Sequence, residues 1–372
     1  MYMKIKITFV IPANIYFNGG IEKTIRKYID YRNENFDVTV LEGKGDNKND
    51  NYNRVTINSI YCNYILKTSG FKNFLVRILS PLLLKIDRIR NIKNIKYIEK
   101  NSDIIYLANN DLYFLFKKPK IMIWSEHGNL PFNYTGLGFF NRILSKLMLK
   151  KIIFRNINYF HLINCYYGKY ISPYGRYFCV PNGVDSDKFI PVDNKNKVIK
   201  LLFVGRLEKS KGIDKIIDAF NELDDGYDLT IVGSGTMEYM MKENNRIHYY
   251  KNIGINELTE IYNNSDVFIF PSMLENFGLV ILEALSSGLY VITSNYMKPR
   301  FDYFENMKYL EYTTPDKNGI KNALENVNKK LEYTDVYENK LKIHEYIRET
   351  YDWENLADSL YRELKNIYEN NR

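Results

Sequence analysis

Short, continuous apolar runs recur along this chain, each separated from the next by a stretch of helical character. In the first half they are Ile5 to Ile11, Val38 to Leu41, Ile104 to Leu107, Ile121 to Trp124, Tyr159 to Ile163 and Phe178 to Val180. In the second half they are Leu201 to Val204, Leu229 to Val232, Val267 to Phe270 and Tyr290 to Thr293. A run that is apolar at every position reads as a strand buried on both faces. Such strands, alternating with helices, build parallel sheets. The rhythm breaks once, at Pro181-Asn182-Gly183-Val184-Asp185 and the polar, turn-rich stretch Pro191 to Lys197. The pattern therefore predicts an α/β chain of two Rossmann-like domains, residues 1–188 and 189–350. A ligand is expected in a cleft between them, at the carboxyl ends of the strands. A chain of 372 residues is long enough to build two such cores.

Composition narrows the classes. Cys62, Cys165 and Cys179 are odd in number and unpatterned, which predicts a reducing compartment, no disulfide framework and no zinc site. Met1 to Val10 alternates Lys with apolar residues and reads as a strand rather than a leader. No apolar stretch is long enough to span a bilayer. Residues 1–190 hold 29 Lys+Arg and 14 Asp+Glu, a net +15, against 23 and 30, a net −7, in the remainder. That split predicts that the first half meets something anionic. The high Tyr and Asn content reads as codon bias.

One segment carries the clearest chemistry. Pro271 to Ala284 follows the apolar run Val267 to Phe270 and places Glu275 and Glu283 with seven residues between them. Gly278 stands where a strand-to-helix loop would open a helix, with Glu283 in its second turn. The amides of Phe277, Gly278 and Leu279 would then form an anion site backed by the helix dipole. A carboxylate beside phosphate donors suits a sugar nucleotide, because it accepts from sugar hydroxyls.

Gly205-Arg206-Leu207-Glu208-Lys209-Ser210-Lys211-Gly212 likewise joins a strand to a helix. Arg206 can clamp a diphosphate with its bidentate fork and Lys211 as a point charge. Gly233-Ser234-Gly235 is a turn after the next strand. Asn18-Gly19-Gly20 opens a helix after the first, where glycine allows close backbone approach to a phosphate. His127 follows the run Ile121 to Trp124, beside Gly128 and Asn129, and Glu126 precedes it. His161, His248 and His344 lack such a setting and read as structural. Asp185-Ser186-Asp187 reads as linker, and no metal-ligand spacing is present. No Gly-x4-Gly-Lys-Ser/Thr loop occurs, which argues against an NTPase.

Together these segments resemble the retaining glycosyltransferases of family 4. The carriers of the likeness are Glu275 and Glu283 with seven residues between them, Phe277-Gly278, Gly205-Arg206-Leu207 with Lys211-Gly212, Gly233-Ser234-Gly235 and Pro181 to Asp185. The resemblance implies the GT-B architecture, two Rossmann-like domains facing across a cleft. The aromatic Tyr351-Asp352-Trp353 would precede a C-terminal helix, residues 351–372, that packs back on the first domain. It implies a retaining hexosyltransferase that takes sugar from a nucleotide-diphosphate donor, with UDP as the expected carrier. Arg206, Lys211 and the amides of Phe277, Gly278 and Leu279 would hold the departing diphosphate. Glu283 would hold the ribose, and Glu275 and His127 would orient the sugar. Gly19, Gly20, Gly205 and Gly233 would line the donor site. No cofactor and no metal are implied. The chain departs from the pattern at Tyr290, where relatives carry Pro, and at Asn295-Tyr296-Met297, where they carry small residues.

Partners follow from charge and likeness together. Phe139 to Arg155 and residues 65–100 are basic and amphipathic, and fit an anionic membrane surface. With that reading the acceptor is a lipid-linked or cell-surface glycan precursor of bacterial polysaccharide or glycoconjugate biosynthesis. The protein is expected to be cytoplasmic and peripheral on the inner face of the cell membrane. No nucleic-acid module is recognisable. Two other classes stay open. A sugar-nucleotide epimerase of similar fold would turn over donor without acceptor. A non-catalytic nucleotide-sugar or membrane-binding module would bind donor without transfer.

Overall fold

In the computed structural model the described residues are 4–16, 20–44, 52–65, 76, 79–108, 110–117, 119–127, 157–193, 198–241, 244–273, 275, 277–298, 309–332 and 336–372. Contacts divide the chain into two units, Met1–Pro181 with Leu356–Arg372, and Asn182–Asn355.

The first unit holds a seven-stranded parallel sheet. Its strands are β1 (Ile5–Val10), β2 (Phe36–Gly43), β3 (Asn53–Ile57), β4 (Ile104–Leu107), β5 (Ile121–Glu126), β6 (Tyr159–Leu162) and β7 (Arg176–Cys179). They lie in the order β3-β2-β1-β4-β5-β6-β7. Register is set on both sides of the first strand, with Ile7 opposite Val38 and also opposite Ile104. Ile7, Phe9, Val40, Leu107, Met122 and Phe160 are among its fully buried side chains. This is the burial expected of strands covered on both faces.

The second unit holds a six-stranded parallel sheet. Its strands are β8 (Ile199–Val204), β9 (Tyr227–Val232), β10 (Ile247–Tyr250), β11 (Val267–Phe270), β12 (Tyr290–Ser294) and β13 (Leu310–Thr313). Their order is β10-β9-β8-β11-β12-β13. The strand order therefore reverses between β8 and β11. In open α/β sheets the carboxyl ends on either side of such a reversal form the ligand crevice.

The C-terminal helix Trp353–Asn370 crosses back to the first unit, as the resemblance implied. Asp352 caps it by accepting from the amide of Glu354 at 2.9 Å. Further along, the Tyr361 hydroxyl donates to the Tyr28 carbonyl at 2.8 Å, and the rings of Phe36 and Tyr361 lie 4.8 Å apart.

Two expectations need correcting. Residues 182–188, grouped with the first half on turn composition, pack with the second unit. The Val184 amide donates to the Tyr351 carbonyl at 2.9 Å, and the Ser186 hydroxyl donates to Asp352. A Cβ on Gly183 would meet Trp353 at 2.8 Å, so glycine lets the strands of chain approach. The second correction concerns cysteine. Cys165 and Cys179, unpatterned in sequence, stand side by side with their Cα atoms 5.6 Å apart. The pairing of β6 with β7 sets Leu162 opposite Cys179, and the turn after β6 brings Cys165 alongside. That separation is within reach of a disulfide, so the spacing of the cysteines does not by itself argue for a reducing compartment. Cys62 is buried.

Among the described residues no helix is long and apolar enough to cross a membrane. Phe139 to Arg155 lies outside the described residues.

Candidate functional site

The predicted residues of the second unit gather at the carboxyl ends of β8, β9 and β11, on both sides of the order reversal. Two loops build this place, and glycine decides how they meet. The loop after β8 ends in a short 3-10 turn, Lys209–Lys211, and Gly212 then turns left-handed at φ 74° to start the helix Ile213–Phe220. A Cβ on Gly212 would lie 2.9 Å from the Pro271 ring. The positive φ and the close approach both require glycine. The Met273 amide donates to the Ser210 carbonyl at 3.1 Å and ties the loop after β11 to the loop after β8.

This junction fixes Lys211. Its residue is only 8% exposed, and its apolar stem leads the ammonium to 5.3 Å from the centre of the Phe270 ring. Lys211 Nζ lies 2.5 Å from Glu275 Oε2 and 3.4 Å from the Ser272 hydroxyl. The sequence placed Lys211 and Glu275 in separate roles. The structure joins them directly as an ion pair. Ser272, fully buried, is a neighbour the sequence reading missed.

Arg206 does not join this pair. Its side chain is 71% exposed and its guanidinium pairs with Glu208 at 2.7 Å. A surface ion pair of this kind contributes about 0–1 kcal/mol, so Arg206 is held loosely and can exchange partners.

Glu283 is half-buried on the helix Leu279–Ser286. Its Oε2 accepts from the Tyr262 hydroxyl at 3.1 Å. Burial, then the charge of Glu283, pushes the Tyr262 hydroxyl well above its usual pKa, so it stays a donor. Tyr262 is a second residue the sequence reading missed. The helix itself starts at Gly278, whose left-handed φ of 71° provides the cap without a side-chain hydrogen bond. Its first-turn amides point outward without intrahelical acceptors, as at every helix start, and favour an anion. Phe277 is buried and anchors the turn.

Gly233 and Gly235 have a different reason from the one expected. Gly233, at φ 141°, would place a Cβ 1.9 Å from the Gly205 carbonyl oxygen. Gly235 would meet the Leu207 carbonyl oxygen at 2.5 Å. The amide of Leu207 also donates to the Ser234 carbonyl at 2.9 Å, and the amide of Met237 to the Leu207 carbonyl at 2.9 Å. The Gly-x-Gly turn is thus the bed on which the Arg206 loop lies. Gly205 itself would accept a Cβ at ordinary distances, and its part is to offer that carbonyl.

In the first unit, Gly20 begins the helix Gly20–Asp30, and a Cβ there would meet nothing within 4 Å. Gly19 lies outside the described residues. His127 is half-buried just after β5, and its Nε2 lies 2.9 Å from the Ser125 hydroxyl. Ser125 in turn lies 3.1 Å from His161 Nδ1, which the Tyr106 hydroxyl also contacts. The Val180 carbonyl, 2.8 Å from His161 Nε2, can only accept, so that nitrogen carries the proton and Nδ1 is the acceptor. Burial, then the neighbouring His161, holds the His127 imidazole below its usual pKa.

Burial lowers the His161 pKa to about 4. Its neutral form is the folded one, while an unfolded His protonates near pH 6.5. Below about pH 6.5 the unfolded state binds the extra proton, so stability falls as pH drops towards 4. The loss is expected to approach about 3 kcal/mol at pH 4. Urea unfolding of wild type and His161→Phe at pH 7.5 and pH 4.5 checks this. The wild type should show a larger acid loss than the variant, and equal losses would contradict the assignment.

Among the described residues no three His, Cys, Asp or Glu side chains group as a metal site.

Residues 185–361 match the family model of glycosyl transferases group 1. The match covers just under half of the chain. The capsular polysaccharide biosynthesis glycosyltransferase CapM of Staphylococcus aureus is 33% identical over 132 residues, which is 31% of this chain and 35% of CapM. Such matches span about a third of the length of the first curated relatives. Whole-chain likeness comes from solved structures. Sucrose-phosphate synthase of Thermosynechococcus elongatus superposes with a TM-score of 0.74 at 18% identity, covering 98% of this chain and 100% of that one. Alr3699/HepE of Anabaena, solved in complex with UDP and glucose, gives 0.68 at 14% identity, covering 97% and 99%. The fold of the chain is therefore that of the GT-B glycosyltransferases.

Proposed function

We propose that this chain is a retaining glycosyltransferase that moves a hexose from a UDP-sugar to a lipid-linked or cell-surface glycan acceptor. The observation that carries the reading is the Lys211–Glu275 pair, seated at the β8/β11 reversal beside the start of the helix Leu279–Ser286. A buried ammonium, an exposed guanidinium on the same loop and a helix start are what a departing diphosphate needs. In this reading Arg206 leaves Glu208 for the diphosphate. Lys211 and the amides of Phe277, Gly278 and Leu279 take up the charge that develops on it. Glu283, oriented by the Tyr262 hydroxyl, accepts from the ribose. Glu275 and His127 accept from or donate to hydroxyls of the sugar.

The bond from the anomeric carbon to the diphosphate oxygen breaks, and the acceptor oxygen bonds to that carbon on the same face. The acceptor's proton passes to the departing diphosphate, so charge and atoms balance. The match of residues 185–361 to the glycosyl transferases group 1 model and the UDP complex of the Anabaena protein support the donor class. The capsular relative supports a polysaccharide or glycoconjugate acceptor. A lipid-linked acceptor would place the chain on the cytoplasmic face of a membrane, in keeping with the positive first half.

The test is a turnover assay with a panel of UDP-hexoses, with and without lipid-linked glycan extract, followed by assignment of the anomeric configuration by NMR. UDP release that requires acceptor, with retained configuration, supports the proposal. Interconversion of the donor without acceptor would mean an epimerase. Binding without turnover would mean a module.

A further inference from the structure

The helix Ser80–Arg90 is apolar on two sides: Leu84 is fully buried in the core of the first unit, and a second apolar stripe faces outward. Its charged Asp87 and Arg88 are buried, while Leu82, Ile86 and Ile89 are exposed, Ile89 at 73%. The inward side has specific partners. Asp87 accepts from the Ser59 hydroxyl at 2.6 Å and from the amides of Ile60 and Tyr61 at 2.8 and 3.0 Å, capping the helix Ile60–Ile65. Arg88 forks onto Glu99 at 3.1 and 3.0 Å and also reaches the Leu115 carbonyl. These bonds fix the rotation of the helix, because turning it would strand a buried carboxylate and a buried guanidinium.

The outward side follows from that rotation. Leu79, Leu82, Ile86 and Ile89 recur at three- and four-residue spacing and form one exposed stripe. Lys85 and Arg90 flank it on either side, both exposed, and Lys93, Lys96 and Lys100 continue the exposed positive surface along the next helix, Ile92–Asn101. Between residues 79 and 101 the only acids are Asp87 and Glu99, and both are committed to the inward bonds. The exposed charge of this segment is therefore all positive. An ordinary helix of such a sheet would bury its leucines and show its charges. This one buries Leu84 together with its one acid, Asp87, and still shows water an apolar ridge edged with cations.

We infer that the Leu82–Ile86–Ile89 ridge is a docking surface for an anionic lipid bilayer. Apolar side chains enter the headgroup boundary while flanking Lys and Arg meet lipid phosphates, the usual division of labour for an interfacial helix. The net +15 of residues 1–190 adds long-range attraction of the first half as a whole to an anionic surface. The inference deepens the membrane part of the function proposed above and rests on it, but it is independent of the donor chemistry.

The experiment is co-sedimentation of the full chain with vesicles of phosphatidylglycerol and phosphatidylcholine, and with phosphatidylcholine alone. It compares wild type, Leu82→Ser/Ile86→Ser/Ile89→Ser and Lys85→Glu/Arg90→Glu. All the substituted side chains are exposed, and circular dichroism melting verifies that each variant keeps the wild-type fold. The expected result is wild-type binding to the mixed vesicles only, weakened by high salt, and a fall of about tenfold or more in partitioning for each variant. Undiminished binding of both variants would overturn the ridge assignment while leaving membrane association standing. No wild-type binding at all would overturn both. Light scattering that finds a wild-type dimer, monomeric in the serine variant, would also overturn it, because the ridge would then be a contact between copies.

Discussion

Lys211→Met is expected to lower kcat/KM for sugar transfer by about a thousandfold, within the range for loss of one preorganised charge-stabilising group. The substitution keeps most of the apolar stem that packs beside Phe270 and removes only the ammonium. What is lost is a cation fixed before the donor arrives, 2.5 Å from Glu275 and held in place by the Gly212–Pro271 contact. Charge builds on the diphosphate as the anomeric bond breaks, so the loss should fall mainly on kcat. Stability should change little, by about 1 kcal/mol, because the Glu275 side chain is 25% exposed and can rehydrate. Steady-state kinetics with a melting control separates the two effects. Activity within tenfold of wild type would remove Lys211 from the leaving-group role.

Gly233→Ala should be the most damaging single methyl in the second unit. The added Cβ would stand 1.9 Å from the Gly205 carbonyl oxygen, which is backbone and cannot swing aside. The φ of 141° adds strain for any residue with a side chain. A cost of about 3–5 kcal/mol is expected, because two laced loops must part. The loop that moves carries Arg206, so donor affinity should fall in whatever fraction stays folded. Gly20→Ala is the control, since a Cβ there meets nothing within 4 Å. Chemical denaturation of the two variants gives the comparison, and equal stability would contradict the account of the Gly-x-Gly turn.

The central strands were legible because burial on both faces makes every position apolar. The three strands that periodicity missed, β3, β10 and β13, are all at sheet edges. Their sequences, Asn-Arg-Val-Thr-Ile, Ile-His-Tyr-Tyr and Leu-Glu-Tyr-Thr, mix polar and apolar residues because an edge strand pairs on one side and stays partly open. The site residues were legible as motifs, but their pairings were not. Lys211 and Glu275 are 64 positions apart, and Tyr262 and Glu283 are 21 apart, so only the tertiary fold brings them together. The same holds for Asp87 and Arg88. Their segment reads as a common amphipathic helix, and only Ser59 and Glu99, from elsewhere in the chain, draw Asp87 and Arg88 inward.

The most direct test of the donor site is calorimetric titration of UDP, GDP and ADP into wild type and into Arg206→Ala/Lys211→Ala. The account predicts that wild type binds UDP in preference to the other two. It also predicts that the double variant, folded by its melting curve, loses UDP binding by about a hundredfold or more, as expected for two charge-assisted phosphate contacts. Equal UDP binding by the double variant would contradict the placement of the diphosphate, and with it the function built on that placement.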